Sequence, residues 1–349
     1  EGGFANTYGK TAHGLVRFTR RYRVRALVDS TIAGGDAGEF LDGQPNGIPI
    51  VASIENALKA AQLSAAPATH LVFGLAPDGG RLPEFARVDL LQALRSGLNV
   101  DAGLHEFLSE DPEFATAARE SGVEIRDVRR GPPRDELHAF TGKIGQVTSK
   151  IIAVLGTDSA IGKRTTAVRL VQSFEDAGIR AELIGTGQTS WLQGVRYCIV
   201  EDALVSDFMA GEIEHVVWSA WIEQQPDVIV LEGQGSLMNP AYPGGYELLA
   251  AGRPHVVVLQ HAPTRRSYDG FPDFPLHPLQ RQIAALEMVS DKPVAAITIN
   301  HEGLVPNQIA AVCKQISAET GLPTFDVLVE GADELAAVLA RRLDLRSSQ

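Results

Sequence analysis

Cysteine is scarce in this 349-residue chain: Cys198 and Cys313 are its only two, and no C-x-x-C spacing is present. That excludes a disulfide framework and a paired-thiolate zinc site, and it fits a reducing cytoplasm. Long apolar runs are missing as well, since no stretch approaches the ~18 apolar residues that a membrane-spanning helix needs. The first 25 residues carry basic side chains but no apolar core of signal-peptide length. The chain begins at Glu1-Gly-Gly without Met, so a native N-terminal strand is expected to be missing or processed. The dinucleotide fingerprint G-x-G-x-x-G does not occur, which removes the motif-based case for NAD. There is no internal repeat and no low-complexity tract. Basic charge is in deficit, with 31 Lys and Arg against 43 Asp and Glu for a net charge of −12. That balance argues against nucleic acid or an anionic membrane as the main partner.

What remains is the profile of a soluble globular protein, 44% hydrophobic and 21% charged, long enough for two domains with a core each. Strand-like runs at 25–29, 48–51, 70–75, 99–103 and 123–127 alternate with helices that follow Ser53, Pro83 and Asp111. Alternation of this kind predicts a doubly wound parallel sheet, Rossmann-like in outline. The loops at its strand ends hold Asp29, Ser30, Gly79, Gly80, Arg81, His105 and Glu106, each a candidate ligand contact or simply a cap. The polar, Gly/Pro-rich segment 129–147 reads as a linker, giving domains over 1–145 and 146–349.

The second domain is organised around residues 151–166, IIAVLGTDSAIGKRTT. A buried strand, a glycine-bearing turn, Gly162-Lys163 and a helix occur in the order that a phosphate-binding loop requires. Backbone N–H groups, the helix N-terminus and the lysine converge there on phosphate oxygens. The candidate phosphate contacts are Gly156, Thr157, Asp158, Ser159, Ala160, Ile161, Gly162, Lys163, Arg164 and Thr165. Gly156 stands one residue earlier than G-x-x-x-x-G-K prescribes, and the spelling G-T-D-S-x-x-G-K resembles the dethiobiotin synthetase branch of P-loop proteins. The residue after the lysine, ordinarily the hydroxyl that holds Mg²⁺, is Arg164. A guanidinium has no lone pair to offer a metal and repels one. The loop therefore reads as a grip for a pyrophosphate with weak provision for Mg²⁺, and no metal site is expected.

Downstream, residues 181–185 form a strand that runs into a second glycine-hydroxyl loop at 186–190. A helix is expected over 204–222, with Asp207, Gly211 and His215 sharing one face, either solvated or able to hold a cation. Residues 227–231 lead to Glu232 at a strand tip, the pattern of a Walker B carboxylate, and on to a Gly-x-Gly turn. A further strand ends in Gln260 and His261, followed by Arg265 and Arg266. A histidine at such an edge serves as general acid or base, or as a structural residue.

Eight ordered segments carry a resemblance over nearly the whole chain. They are Lys10-Thr-Ala-His-Gly14, Asp29-Ser-Thr31, Gly47-Ile-Pro-Ile-Val51, Gly103-Leu-His-Glu-Phe107, the phosphate loop, Gly185-Thr-Gly-Gln-Thr189, Ser206-Asp-Phe208 and Glu232-Gly-Gln-Gly-Ser236. Together they resemble the DUF1611 family, which pairs a Rossmann-like N-terminal domain with a P-loop domain. Leu259-Gln-His-Ala-Pro263 followed by Tyr268-Asp-Gly-Phe-Pro272 is most similar to its D-glutamate N-acetyltransferase branch. The resemblance implies transfer of an acetyl group from acetyl-CoA to the amine of D-glutamate. The expected proton acceptors are Glu232, His261, Asp207 and Asp202, in that order. Gln234 and Gly235, with Arg265, Arg266, Lys10 and Arg81 as cationic forks, are the expected substrate contacts. A small-molecule amino acid is the expected partner and a homo-oligomer the expected assembly. Two alternatives stay open: a Mg-dependent kinase or carboxylate-activating ligase, and a nucleotide- or CoA-binding protein without catalysis.

Overall fold

Short, apolar strands separated by helices with one buried face build this chain, as their alternation in the sequence requires. The computed structural model describes residues 1–63 and 66–346. They divide into two units, one of Glu1–Pro132 with Gln188–Val195, the other of Pro133–Gly187 with Arg196–Gln349. The segment 129–147 thus straddles the division.

In the first unit, helices α1 (Lys10–Arg17) and α2 (Ala37–Asp42) accompany β1 (Leu27–Val28) and β2 (Ile50–Val51), which pair in parallel. Then follow α3 (Ile54–Leu63), β3 (His70–Val72), α4 (Glu84–Arg95), β4 (Asn99–Ala102), α5 (Pro112–Ser121) and β5 (Ile125–Asp127). Strands β3, β4 and β5 form a second parallel sheet. Helix α5 starts where its sequence dictates. Asp111 accepts the N–H groups of Glu113 and Phe114, and Pro112 occupies a first-turn position where no N–H is needed. Phe73, Leu90, Leu94, Val100, Leu108 and Phe114 form the core beneath. A cavity of about 550 Å³ lies between β1 and β3, lined by Leu27, Phe73 and Leu90 among others; of the candidate ligand contacts in the strand-end loops, Asp29 lines it.

The second unit begins with β6 (Lys150–Gly156) and α6 (Lys163–Asp176), followed by β7 (Ala181–Gly185). Helix α7 (Gln188–Gln193) is counted with the first unit, where Thr189 Oγ1 lies 2.9 Å from Thr11 Oγ1. Next come β8 (Tyr197–Cys198), α8 (Ser206–Gln224), β9 (Val228–Glu232), α9 (Tyr246–Gly252) and β10 (Val256–His261). A hairpin of β11 (Ser267–Tyr268) and β12 (Phe271–Pro275) precedes α10 (Leu279–Ser290), β13 (Val294–Ile299), α11 (Pro306–Thr320), β14 (Thr324–Phe325) and α12 (Asp333–Leu343). Among the described residues the main sheet has seven parallel strands in the order β14-β13-β10-β6-β9-β7-β8. Strands β6, β9 and β13 are buried almost throughout, as a parallel sheet covered on both faces demands. Strand β6 sits centrally, so its carboxyl end meets the loops after β9 and β10, the usual place for a ligand crevice.

The polar segment before β6 is fastened to α8. Glu214 accepts the N–H groups of Thr141 (2.6 Å) and Ile144 (3.1 Å), and Glu212 accepts that of His138 (2.6 Å). His138 stacks on His215 with ring centroids 3.5 Å apart. The face that carries Gly211 and His215 is therefore covered by 138–144, while Asp207 is exposed at the helix start. A Cβ on Gly211 would stand 1.9 Å from the carbonyl oxygen of His138. Gly211→Ala should displace this strap at about 1–3 kcal/mol, outweighing the ~1 kcal/mol of helix propensity that alanine brings. A lowered melting temperature in calorimetry checks it; a raised one would mean that the strap moves at little cost.

Candidate active site

Residues 157–162 turn from β6 into α6 over the carboxyl edge of the sheet. Gly162 holds a φ of +101°, open to glycine and strained for other residues. At Gly156 a Cβ would lie 2.9 Å from Lys163 Cδ and 3.1 Å from its Nζ, so the bare strand end makes room for the lysine. The Lys163 ammonium is buried and donates to the Asp158 carbonyl at 2.7 Å. Loop N–H groups, a helix N-terminus and a cation meet at one turn, which suits a diphosphate.

The loop is anchored by its own side chains. Asp158 is fully buried. Its Oδ1 accepts from Ser159 N (2.7 Å) and Asn239 Nδ2 (2.8 Å), and its Oδ2 accepts from Arg265 NH1 (2.8 Å) and Asp269 N (2.9 Å). Arg265 also donates to Ser159 O and forks onto Glu302. Its guanidinium is thus spent on the loop, and the β11–β12 hairpin is docked there through Asp269. Gln260 makes a second knot. Its side-chain oxygen accepts from Thr166 (2.5 Å) and Thr298 (2.6 Å), and its carbonyl accepts Thr157 N (2.9 Å).

His261 Nδ1 and Thr157 Oγ1 share a 3.0 Å hydrogen bond. Burial pulls this imidazole down to about 4, so it is neutral at neutral pH and a weak base. On the other flank Glu232, 2% exposed, pairs with Arg164 at 2.6 Å. Its backbone carbonyl accepts Thr186 Oγ1 (2.8 Å), and Gln234 Nε2 donates to the same hydroxyl (3.1 Å). The structure thus gathers 156–166, Glu232, Gln234, His261 and Arg265 at one sheet edge, with Gly235 half-buried one residue beyond Gln234. Ser159, Ala160 and Thr165 are half-buried, and Ile161 is fully buried. Asp202 and Asp207 are exposed, as is Arg266. Lys10, first residue of α1, and Arg81 are exposed positions of the first unit.

Sequence reasoning missed Asn239, Asp269, Glu302 and Glu201, and it placed Gln260 at a strand end without a role. The roles of Asn239, Gln260, Asp269 and Glu302 depend on partners far along the chain, which no local pattern encodes. Glu201 is buried, with an Oε2 that has no hydrogen-bond partner among the described residues. Burial first, then the charges of Glu247, Asp202 and Glu232, push its carboxyl up to about 8. Among the described residues no three His, Cys, Asp or Glu side chains are grouped to hold a metal, and no helix is long and apolar enough to cross a membrane.

Two family models match: residues 30–131 a Rossmann-like domain of unknown function, DUF1611_N, and residues 138–336 a P-loop domain of unknown function, DUF1611_C. A protein named D-glutamate N-acetyltransferase from Tritonibacter scottomollicae is 32% identical over 288 residues, covering 80% of this chain and 83% of its own. Another of that name, from a Pseudoalteromonas species, is 28% identical over 281 residues, covering 78% and 81%. The crystal structure of a DUF1611 family protein from Anabaena variabilis matches with a TM-score of 0.86 at 31% identity, covering 97% of each chain. With both domain models matched and relatives spanning most of its length, the chain belongs to the DUF1611 family, a Rossmann-like domain followed by a P-loop domain.

Proposed function

We propose that this protein is an N-acetyltransferase that moves the acetyl group of acetyl-CoA to the amine of D-glutamate. The observation that carries the reading is the Arg164–Glu232 pair beside Lys163. In a nucleotide-hydrolysing P-loop, the residue after the lysine and the acid at the neighbouring strand tip serve Mg²⁺. Here a guanidinium stands at the first position and is paired with the acid at the second. Such a loop is suited to gripping a diphosphate without splitting it, and coenzyme A carries a diphosphate remote from its thioester. The names of the relatives supply the acceptor, and D-glutamate rests on them alone.

The residues that fit the donor's diphosphate are the N–H groups of 160–164 and the Lys163 ammonium, since the Thr157 and Ser159 N–H groups already donate to Gln260 O and Asp158 Oδ1. The thioester carbon is attacked by a neutral amine, so the acceptor must first lose a proton. In this reading the oxyanion takes its donors from the Gly235 N–H and from the Gln234 amide hydrogen not spent on Thr186.

Thiol release from acetyl-CoA, with D- and L-glutamate as separate acceptors and with or without Mg-ATP, tests the reading. Metal-independent release with D-glutamate is expected. ADP formation without thiol release would overturn it in favour of a kinase or ligase. Tight CoA binding without turnover would favour a binding protein.

A further inference from the structure

The transferase reading leaves open what takes the proton from the acceptor's ammonium. Glu232 is committed to Arg164, and His261 is held on Thr157 as a neutral imidazole. Asp202 and Asp207 are solvent-exposed. One carboxyl on this flank of the sheet has a different setting. Glu201 follows β8, is 5% exposed, and its Oε2 has no hydrogen-bond partner among the described residues. Its backbone N–H donates to the Thr186 carbonyl at 3.0 Å. The Thr186 hydroxyl in turn bonds Glu232 O and receives Gln234 Nε2. Glu201 therefore hangs on the residue that ties together the loop beside the phosphate-binding turn.

We propose that Glu201 is the catalytic base of the transfer, its unpartnered buried carboxyl receiving the acceptor's ammonium and then the ammonium's proton. The inference rests on the transferase reading. An unpartnered buried carboxyl is costly to keep unless something uses it, and an ammonium is the chemical complement of this one. The charges that face it are carboxylates on three elements. These are Asp202 beside it, Glu232 at the end of β9, and Glu247 in the first turn of α9. Without a cation, burial first and these charges second hold the Glu201 proton on. A substrate ammonium placed against it reverses that balance, because an opposite charge favours the ionised form.

The step balances without a further reactant. Ionised Glu201 takes one proton from the ammonium, leaving a neutral amine. The nitrogen lone pair attacks the thioester carbonyl, the N–C bond forms and the C–S bond breaks. The departing sulfur takes the second nitrogen-borne proton, yielding the amide and free thiol, and Glu201 returns its proton to solvent. A base whose proton leaves near the working pH is well matched to this duty, and the carboxyl sits at about 8.

Glu201→Gln keeps the shape and removes the base. Its kcat is expected to fall by about 100-fold or more, with KM for acetyl-CoA unchanged. The alkaline-rising limb of the wild-type rate profile should vanish, and Glu201→Asp should retain it. Melting temperature gives a readout independent of turnover. A carboxyl whose pKa is raised by folding stabilises fully below its unfolded value and loses that contribution as pH rises toward the folded value. Wild type should therefore weaken relative to Glu201→Gln between about pH 4.5 and about pH 8, with a constant gap above. Wild-type-like turnover and pH profile in Glu201→Gln would overturn the inference while leaving the transferase reading intact, and so would a melting gap independent of pH. Absence of thiol release from the wild type with every amino acid tried would overturn both.

Discussion

An Asp158→Ala variant should lose about 3–5 kcal/mol of stability in the P-loop unit, the cost typical of removing one partner from a buried ion pair. The carboxylate is wholly buried and accepts from four donors. Truncation strands Asn239 Nδ2 and two backbone N–H groups without acceptors, each costing about 1–3 kcal/mol where water cannot reach. Arg265 fares better than an orphaned cation, because Glu302 still accepts from it. Removing Arg265 as well should therefore recover little, and the double variant should lie close to Asp158→Ala alone. Urea denaturation followed by tryptophan fluorescence, with Trp218 and Trp221 on α8 reporting on this unit, measures the loss. A loss below about 1 kcal/mol would show that solvent replaces the carboxylate and that the loop is not fastened there.

The same residue shows how far the sequence could be read. The strand, glycine turn, lysine and helix of residues 150–176 were legible because every signal is local. An unbroken apolar run marks a doubly covered strand, and Gly162-Lys163 marks the helix start. Asp158 also stood out, as a member of the phosphate loop. Its partners lie 81, 107 and 111 residues away at Asn239, Arg265 and Asp269, and no periodicity encodes such distances. Arg265 read as a fork for substrate carboxylates. The structure gives it two carboxylates of its own, Asp158 and Glu302.

Segment 129–147 read as a linker because it is polar and rich in Gly and Pro. Residues 138–144 nonetheless pack on α8, since two of that helix's carboxylates, Glu212 and Glu214, accept their N–H groups. The fold class needed none of these long-range contacts, only the alternation of apolar strands with helices. Helices α7 and α9, at six and seven residues, are too short for a helical period to declare itself. Glu201 was invisible for a related reason: nothing beside it in the chain says that its carboxyl is buried, whereas exposed Asp202 next to it looked equally eligible.

Lys163 carries the prediction that most directly joins the loop to its ligand. Its ammonium is buried at the turn, where a methionine of similar length would fill the volume without the charge. Charge-assisted hydrogen bonds are worth about 1.5–3 kcal/mol, so Lys163→Met should weaken CoA binding by about 10- to 150-fold. Isothermal titration with CoA measures that directly. The more discriminating comparison uses two donors, acetyl-CoA and S-acetylpantetheine, which has the thioester and lacks the diphosphate. If Lys163 holds only the diphosphate, kcat/KM should fall with acetyl-CoA and stay near wild type with S-acetylpantetheine. Equal loss with both donors would mean that the lysine acts at the thioester or on the fold, and the assignment of this loop to the diphosphate would fail. Arg164 gives the control. Its guanidinium faces Glu232, so Arg164→Lys disturbs the neighbouring flank while leaving the Lys163 ammonium in place. A donor-dependent loss confined to the Lys163 variant would separate the grip on the diphosphate from the chemistry beside it.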